Sequence, residues 1–450
     1  MRAVIICLIT TMTGHTYVSA KNEADSGKVL SKDSALTKKF NLHFQTTYIY
    51  QYKPAFHSPY NGANSLSGLE EKENSLTSTL FFGLRLWKGA EIYINPEIAG
   101  GSGLSGAYGL AASTNGETFR VGDPSPTLYL ARGFLKQTIY LCNDKMADID
   151  DAPNQLSCPM PVKYIQLLIG KLSLGDLFDN NVYSNSPRTQ FMNWAIMNNA
   201  AYDYAANVRG YTYTFAIITQ IYNTTYKAAI ATLPYIANGA ALNTNIGQQY
   251  SLNAELDKNY TLNGKKGCFR ISGYYNNANM GVYKEAITGD SSGAVPNIVA
   301  TRKAGRHKTG LGINTDLRIN EVIGIFCRAG WDDGKTETWC YTESDQTFST
   351  GLTINGKGWK RKDDNVGVAF VANGLSQEHR DYLAAGGLGF EIGDGKLNYG
   401  YETASEFYYS FKPVAYPVWI SGDYQFIVNP GYNKDRGPVN VFSVRLHVEL

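Results

Sequence analysis

Apolar and polar residues alternate one by one, in segments of roughly eight to ten residues, along most of this chain. Leu76, Leu80, Phe82, Leu84 and Leu86 share one face of such a segment, and Thr77, Thr79, Gly83 and Arg85 share the other. A period of two belongs to a β-strand; a helix, with 3.6 residues per turn, would scatter both sets. After Trp87-Lys88-Gly89, which reads as a tight turn, Ile92 and Ile94 oppose Glu91, Tyr93, Asn95 and Glu97. Near the start, Leu42, Phe44, Tyr48 and Tyr50 oppose His43, Gln45, Thr47 and Gln51. At the end, Phe442, Val444, Leu446, Val448 and Leu450 oppose Ser443, Arg445, His447 and Glu449. The expected class is all-β.

Sixteen strands are predicted, starting near residues 41, 76, 90, 127, 162, 208, 224, 248, 266, 307, 321, 345, 365, 402, 417 and 438. Their connections alternate in length. Long ones fall at 53–75, 100–126, 172–207, 234–247, 279–306, 332–344, 374–401 and 430–437. Short ones fall at 88–89, 222–223, 263–265, 319–320, 356–364 and 413–416; the exception to the alternation is 142–161. Sorting by parity puts all long loops at one end of the sheet. A transmembrane antiparallel β-barrel with short periplasmic turns and long external loops does this, and a soluble sandwich has no reason to.

Composition agrees. Charged residues are 18%, below the quarter usual in soluble domains, while Tyr numbers 32 and Gly 45. A net charge of +2 gives no sign of a nucleic-acid partner. Residues 1–20 read as a signal peptide: Arg2, an apolar run from Ala3 to Ile9, and Val18-Ser19-Ala20 before the cut. Residues 21–39 read as a flexible N-terminal segment and 40–450 as one barrel domain. Beyond residue 20 no apolar run reaches eighteen residues, which excludes a membrane-spanning helix.

Five cysteines follow residue 20, and none is spaced for zinc. Cys142 and Cys158 flank a polar loop, and a disulfide between them is one of two open readings. Enzyme readings fail. Glu402 and Glu406 suggest a glycosidase pair, but four residues along a strand separate them by about 13 Å, beyond either hydrolytic mechanism. No nucleophile elbow, phosphate loop or dinucleotide fingerprint is present.

Several stretches carry a family resemblance. They are Gly83-Leu84-Arg85-Leu86-Trp87-Lys88-Gly89-Ala90-Glu91, Asn95-Pro96-Glu97-Ile98-Ala99-Gly100-Gly101, and the run from Gly170 through Ser173-Leu174-Gly175-Asp176 to Asp179. Pro187-Arg188-Thr189-Gln190-Phe191-Met192-Asn193-Trp194, Asn373-Gly374-Leu375-Ser376 and the run from Asp423 to Tyr432 complete the set. From about residue 40 onward the chain resembles the carbohydrate-selective porin family of the bacterial outer membrane, of the glucose-porin type. The resemblance implies a sixteen-stranded outer-membrane barrel with inward-folded loops. It would pass mono- and oligosaccharides passively, without a cofactor, with lipid and lipopolysaccharide outside, as a monomer or homotrimer. It also implies a channel narrowed by Arg and Glu, carried here to Arg85, Glu91 and Glu97. The chain departs from the family in ending on Leu450 where an aromatic residue is usual.

A sugar offers hydroxyls and an apolar ring face, so its channel should hold carboxylates, arginines and aromatic rings. Arg85, Glu91 and Glu97 supply the first two, and Tyr93 the third. Glu402, Glu406, Asp423, Gln425, Arg445 and His447 are further inward candidates; the competing reading is cross-strand pairs that stiffen the wall. Arg270, Asp316, Arg318 and Arg328 read as such a wall ladder. In the longest connection, Arg188, Gln190, Asn193 and Trp194 either fold into the lumen or cover the outer mouth. Transport requires weak binding, millimolar in scale or on the order of 4 kcal/mol. The alternatives are a general, non-selective porin and a soluble secreted glycan-binding β protein.

Overall fold

Alternating side chains on a twisted sheet with no free edge make a closed barrel, and the computed structural model has this form. It describes residues 37–118, 125–142, 145–289, 295–413 and 415–450. The proposed signal peptide and most of the 21–39 segment lie outside the described residues.

The strands in chain order are β1 (Phe40–Lys53), β2 (Glu71–Trp87), β3 (Ala90–Gly101), β4 (Thr127–Tyr140), β5 (Met146–Ile149), β6 (Cys158–Pro161) and β7 (Lys163–Leu172). They continue with β8 (Thr212–Ile221), β9 (Thr224–Ala231), β10 (Leu233–Pro234), β11 (Leu242–Asn243), β12 (Tyr250–Leu262), β13 (Lys265–Ala278) and β14 (Arg306–Arg318). The last are β15 (Ile323–Asp332), β16 (Gln346–Asn355), β17 (Asn365–Gly374), β18 (Glu402–Phe411), β19 (Val418–Val428) and β20 (Val439–Glu449). Sixteen of them form the barrel, each antiparallel to its neighbour; β5–β6 and β10–β11 are small separate hairpins. All sixteen barrel strands begin within a few residues of their predicted starts. β1 pairs with β20 to close the cylinder, with Tyr48 opposite Leu446. Leu450 takes part in the closure: its N–H donates to Phe44 O at 2.8 Å, and Phe44 N–H donates to Leu450 O at 2.9 Å.

The expected faces hold. On β14, Leu311 is 61% exposed on the outside, and Asn314 is 2% exposed on the inside. Leu80 and Leu86 face outward on β2, while Thr77 and Thr79 are buried within. Among the described residues no helix is long and apolar enough to cross a membrane; the outward strand faces carry an apolar belt of the kind expected to meet lipid. Short turns use residues that tolerate a left-handed backbone: Asn263 (φ 51°) and Gly264 (φ 77°) join β12 to β13.

One irregularity re-aims a side chain. Register shifts between Asn95 and Pro96 of β3, which pair with Arg132 and Leu130 of β4, leaving Ala131 extra. Proline cannot donate to a ladder, so inside a sheet it sits at such a bulge. Plain alternation from Tyr129 would turn Arg132 outward to lipid; the bulge turns it inward, level with Asn95.

In the structure Cys142 and Cys158 are free thiols, the other of the two open readings. Cys158 is locked into the β5–β6 ladder opposite Ile149, buried and facing the Arg85 guanidinium, while Cys142 stays in the turn after β4. Ile313→Arg tests the belt directly. A charge on the lipid face costs about 2–4 kcal/mol near mid-membrane, so the folded fraction, read as faster migration of unheated protein on a gel, should fall. Wild-type yield for this variant would mean Ile313 does not meet lipid.

Candidate functional site

The longest connection, 173–211, folds into the barrel. Its backbone arrives with N–H and C=O groups that need partners, and the inner wall carries charged side chains that need the same. They satisfy one another. Glu406 accepts from Met192 N–H at 2.5 Å and Asn193 N–H at 3.0 Å. Arg445 donates to Pro187 O and Gln190 O, both at 2.7 Å. Arg328 donates to Ile196 O at 3.0 Å and Ser184 O at 2.5 Å, and pairs with Asp179. Asp179 N–H donates to Glu255 at 2.7 Å. A one-turn helix, α1 (Trp194–Met197), is capped by Asn193, whose side chain accepts from Ala195 N–H. The connection after β3 is held alike: Glu402 accepts from Ala111 N–H at 3.0 Å, and Gln425 donates to Thr114 O at 2.7 Å.

The inward candidates Glu402, Glu406, Asp423, Gln425 and Arg445 therefore do face the interior, but they do not line an open pore. Each is at most 6% exposed, shut behind the loops. Arg85, Glu91 and Tyr93 also stand apart from the open channel. Glu91 accepts from Arg85 and Lys136, both at 2.8 Å, and from Tyr93 OH at 2.7 Å. Leu156 N–H, next to the β5–β6 hairpin, closes on Tyr93 OH at 3.2 Å. The wall-ladder reading fits Arg270, which meets Asp316 at 2.7 Å, but not Arg328, which is a loop anchor. Arg318 ends exposed on the barrel rim.

A cavity of about 350 Å³ lies between loop 173–211 and the β3–β4 wall. Of the candidates it takes Glu97 and Arg188, and the loop's Trp194 lines it too. Arg188 donates to Glu117 at 3.0 Å, to Glu97 at 3.0 Å and to Thr79 at 3.1 Å. Burial alone would lower the pKa of Arg188, but Glu117 and Glu97 outweigh it and hold the guanidinium well above its ordinary value. Glu97 also accepts from Tyr129 OH at 2.5 Å and Tyr211 OH at 2.9 Å. Arg132 forms a two-pronged pair with Asp176, at 2.7 and 2.6 Å, and lies 5.2 Å from the Tyr211 ring centre. Arg209 lies 4.3 Å over Tyr129. Trp194, Tyr341 and Tyr204 form a stack at 4.9 and 4.4 Å.

The family model for carbohydrate-selective porins, the OprB family, matches residues 83–450. The chain belongs to this family. This porin is an outer-membrane channel for carbohydrates. No curated protein matches it in sequence. Among solved structures it is similar to OprB of Pseudomonas putida, with a TM-score of 0.69 and 14% identity over 92% of this chain and 94% of that one. That likeness shows the fold. The channel DcaP of Acinetobacter baumannii aligns with a TM-score of 0.49 and 11% identity, over 91% of this chain and 97% of that one.

Arg132, Asp176, Glu117, Arg209, Tyr129 and Tyr211 of this porin are lining residues that the sequence reading missed. For Arg132 the available signal was Pro96 in the neighbouring strand, which marks a bulge. For Asp176 it was Ser173-Leu174-Gly175-Asp176, a capping box, which the structure forms. Glu117 and Arg209 sit in irregular loops where no periodicity gives direction. The loop anchors yield a prediction. Glu406→Ala strands two buried N–H groups, at about 1–3 kcal/mol each, so loop 173–211 should loosen and single-channel conductance rise, with the barrel still heat-modifiable. Unchanged conductance would show that the loop is held without Glu406.

Proposed function

We propose that carbohydrate crosses this porin through the cavity beside loop 173–211, in contact with its charged pairs and rings. One observation carries the reading. Three arginines, Arg132, Arg188 and Arg209, face four carboxylates, Glu97, Glu117, Asp176 and Glu391, around one cavity with Tyr129, Tyr211 and Trp194 in its wall. The charges offset one another to within one, so the cavity sets up only a small net field to draw in ions. Paired groups still offer spare donors and lone pairs to hydroxyls arriving from solution, and the rings offer a face for the apolar side of a sugar. The volume lies within the range of small-molecule sites.

Because the groups are already paired, a passing sugar exchanges hydrogen bonds instead of adding them, which keeps binding weak and release fast. In planar bilayers glucose should reduce the ion current with millimolar half-saturation, and liposomes should swell faster in glucose than in an amino acid of equal size. Equal swelling rates would reject sugar selectivity. Arg132→Ala should weaken glucose block about tenfold, equivalent to about 1.4 kcal/mol. It should also shift the reversal potential in a salt gradient toward cations, because four carboxylates would then face two arginines. An unshifted potential would place Arg132 outside the conduction path.

A further inference from the structure

We infer that Asp203, in loop 173–211, is a positioning residue for Trp194: it fixes Tyr341, and Tyr341 braces the indole that faces the cavity. The inference rests on the reading that sugar passes through this cavity. Of the three stacked rings, Tyr204 and Tyr341 are buried and Trp194 is only half-buried. Tyr341 lies between the other two, nearly parallel to Trp194 (11°) and to Tyr204 (20°), so both its faces are covered. Its edge reaches the cavity, but neither ring face is free for a sugar to stack on; it is the backing that holds Trp194 there.

Tyr341 comes from a different connection, the one between β15 and β16, so its place depends on how the two loops are joined. Asp203 joins them. Its Oδ1 accepts from Cys340 N–H at 2.7 Å and Tyr341 N–H at 3.1 Å, and its Oδ2 accepts from Trp339 N–H at 2.9 Å. The Asp203 carboxylate is buried, and its own backbone O is tied to β13 by Asn276 Nδ2 at 2.6 Å. Three consecutive N–H groups turned on one carboxylate make a cradle that only an acceptor on both oxygens satisfies. An amide in its place points an N–H at one or more of those donors, whichever way it is flipped. The tie then opens at the residue that carries the bracing ring.

The test is glucose block of ion current in wild type, Asp203→Asn, Trp194→Ala and the double variant, with linear sorbitol as a second probe. Sorbitol has the hydroxyls but no ring face to stack. Glucose block should weaken about fivefold in Asp203→Asn and at least as much in Trp194→Ala, and the double variant should be no worse than Trp194→Ala alone. Sorbitol block should change less than twofold. Glucose block at wild-type strength in Asp203→Asn, or losses that multiply in the double variant, would overturn the positioning role while leaving the channel reading standing. An unaffected Trp194→Ala would instead remove the indole from the sugar path, and the inference with it. If Asp203→Asn does not assemble, Tyr341→Leu removes the brace without touching the carboxylate. It should give the same selective loss of glucose block, and retained block would overturn the inference.

Discussion

Charged side chains that point into a closed barrel have to be satisfied inside it, and in this porin a folded-in loop satisfies them. Glu406, Arg328, Arg445 and Glu255 stand on the inner wall, nearly sealed from water. Left unpaired, each would cost several kcal/mol. Loop 173–211 brings the opposite need, a backbone with no ladder of its own. Every charged hydrogen bond between them settles two debts of desolvation at once. The cavity beside the loop is thereby held by rigid strands although many of its residues belong to the loop.

The strands were legible because the outer face is constrained by lipid. Leu42, Leu84, Leu311 and Leu446 must be apolar at every second position, and a pattern that strict shows in the sequence. The inner face has no such rule. Its polar residues either touch solvent or touch loops, and nothing in the spacing of Glu97 and Glu402 says which. Glu97 lies in the cavity and Glu402 lies behind a loop, because the two inward connections press against the wall from β12 round to β20 and leave room beside β3 and β4. That outcome depends on where residues 102–118 and 173–211 settle, which is tertiary. Arg132 escaped for a local reason, since one extra residue in β4 reverses its face.

The route from sequence to transport then runs through a few contacts. Pro96 tolerates a bulge, the bulge turns Arg132 inward, and Asp176 meets it at the start of the loop. Glu97 gathers Tyr129 from β4 and Arg188 and Tyr211 from the two ends of loop 173–211. Wall anchors on either side of Arg188, at Pro187 and at Gln190 to Asn193, hold its backbone still. The result is a cavity of nearly offsetting charges and aromatic rings, and the proposed passage through it suits a neutral polyhydroxylated solute better than an ion.

The central claim is that this loop is hydrogen-bonded into the barrel as firmly as the strands are to one another. Hydrogen–deuterium exchange on the folded protein in detergent tests it most directly, read on peptides covering 187–205. Amides of Met192, Asn193 and Asn199 should exchange on the slow scale of the barrel strands. Exchange within seconds, at the pace of the exposed turns, would contradict the account.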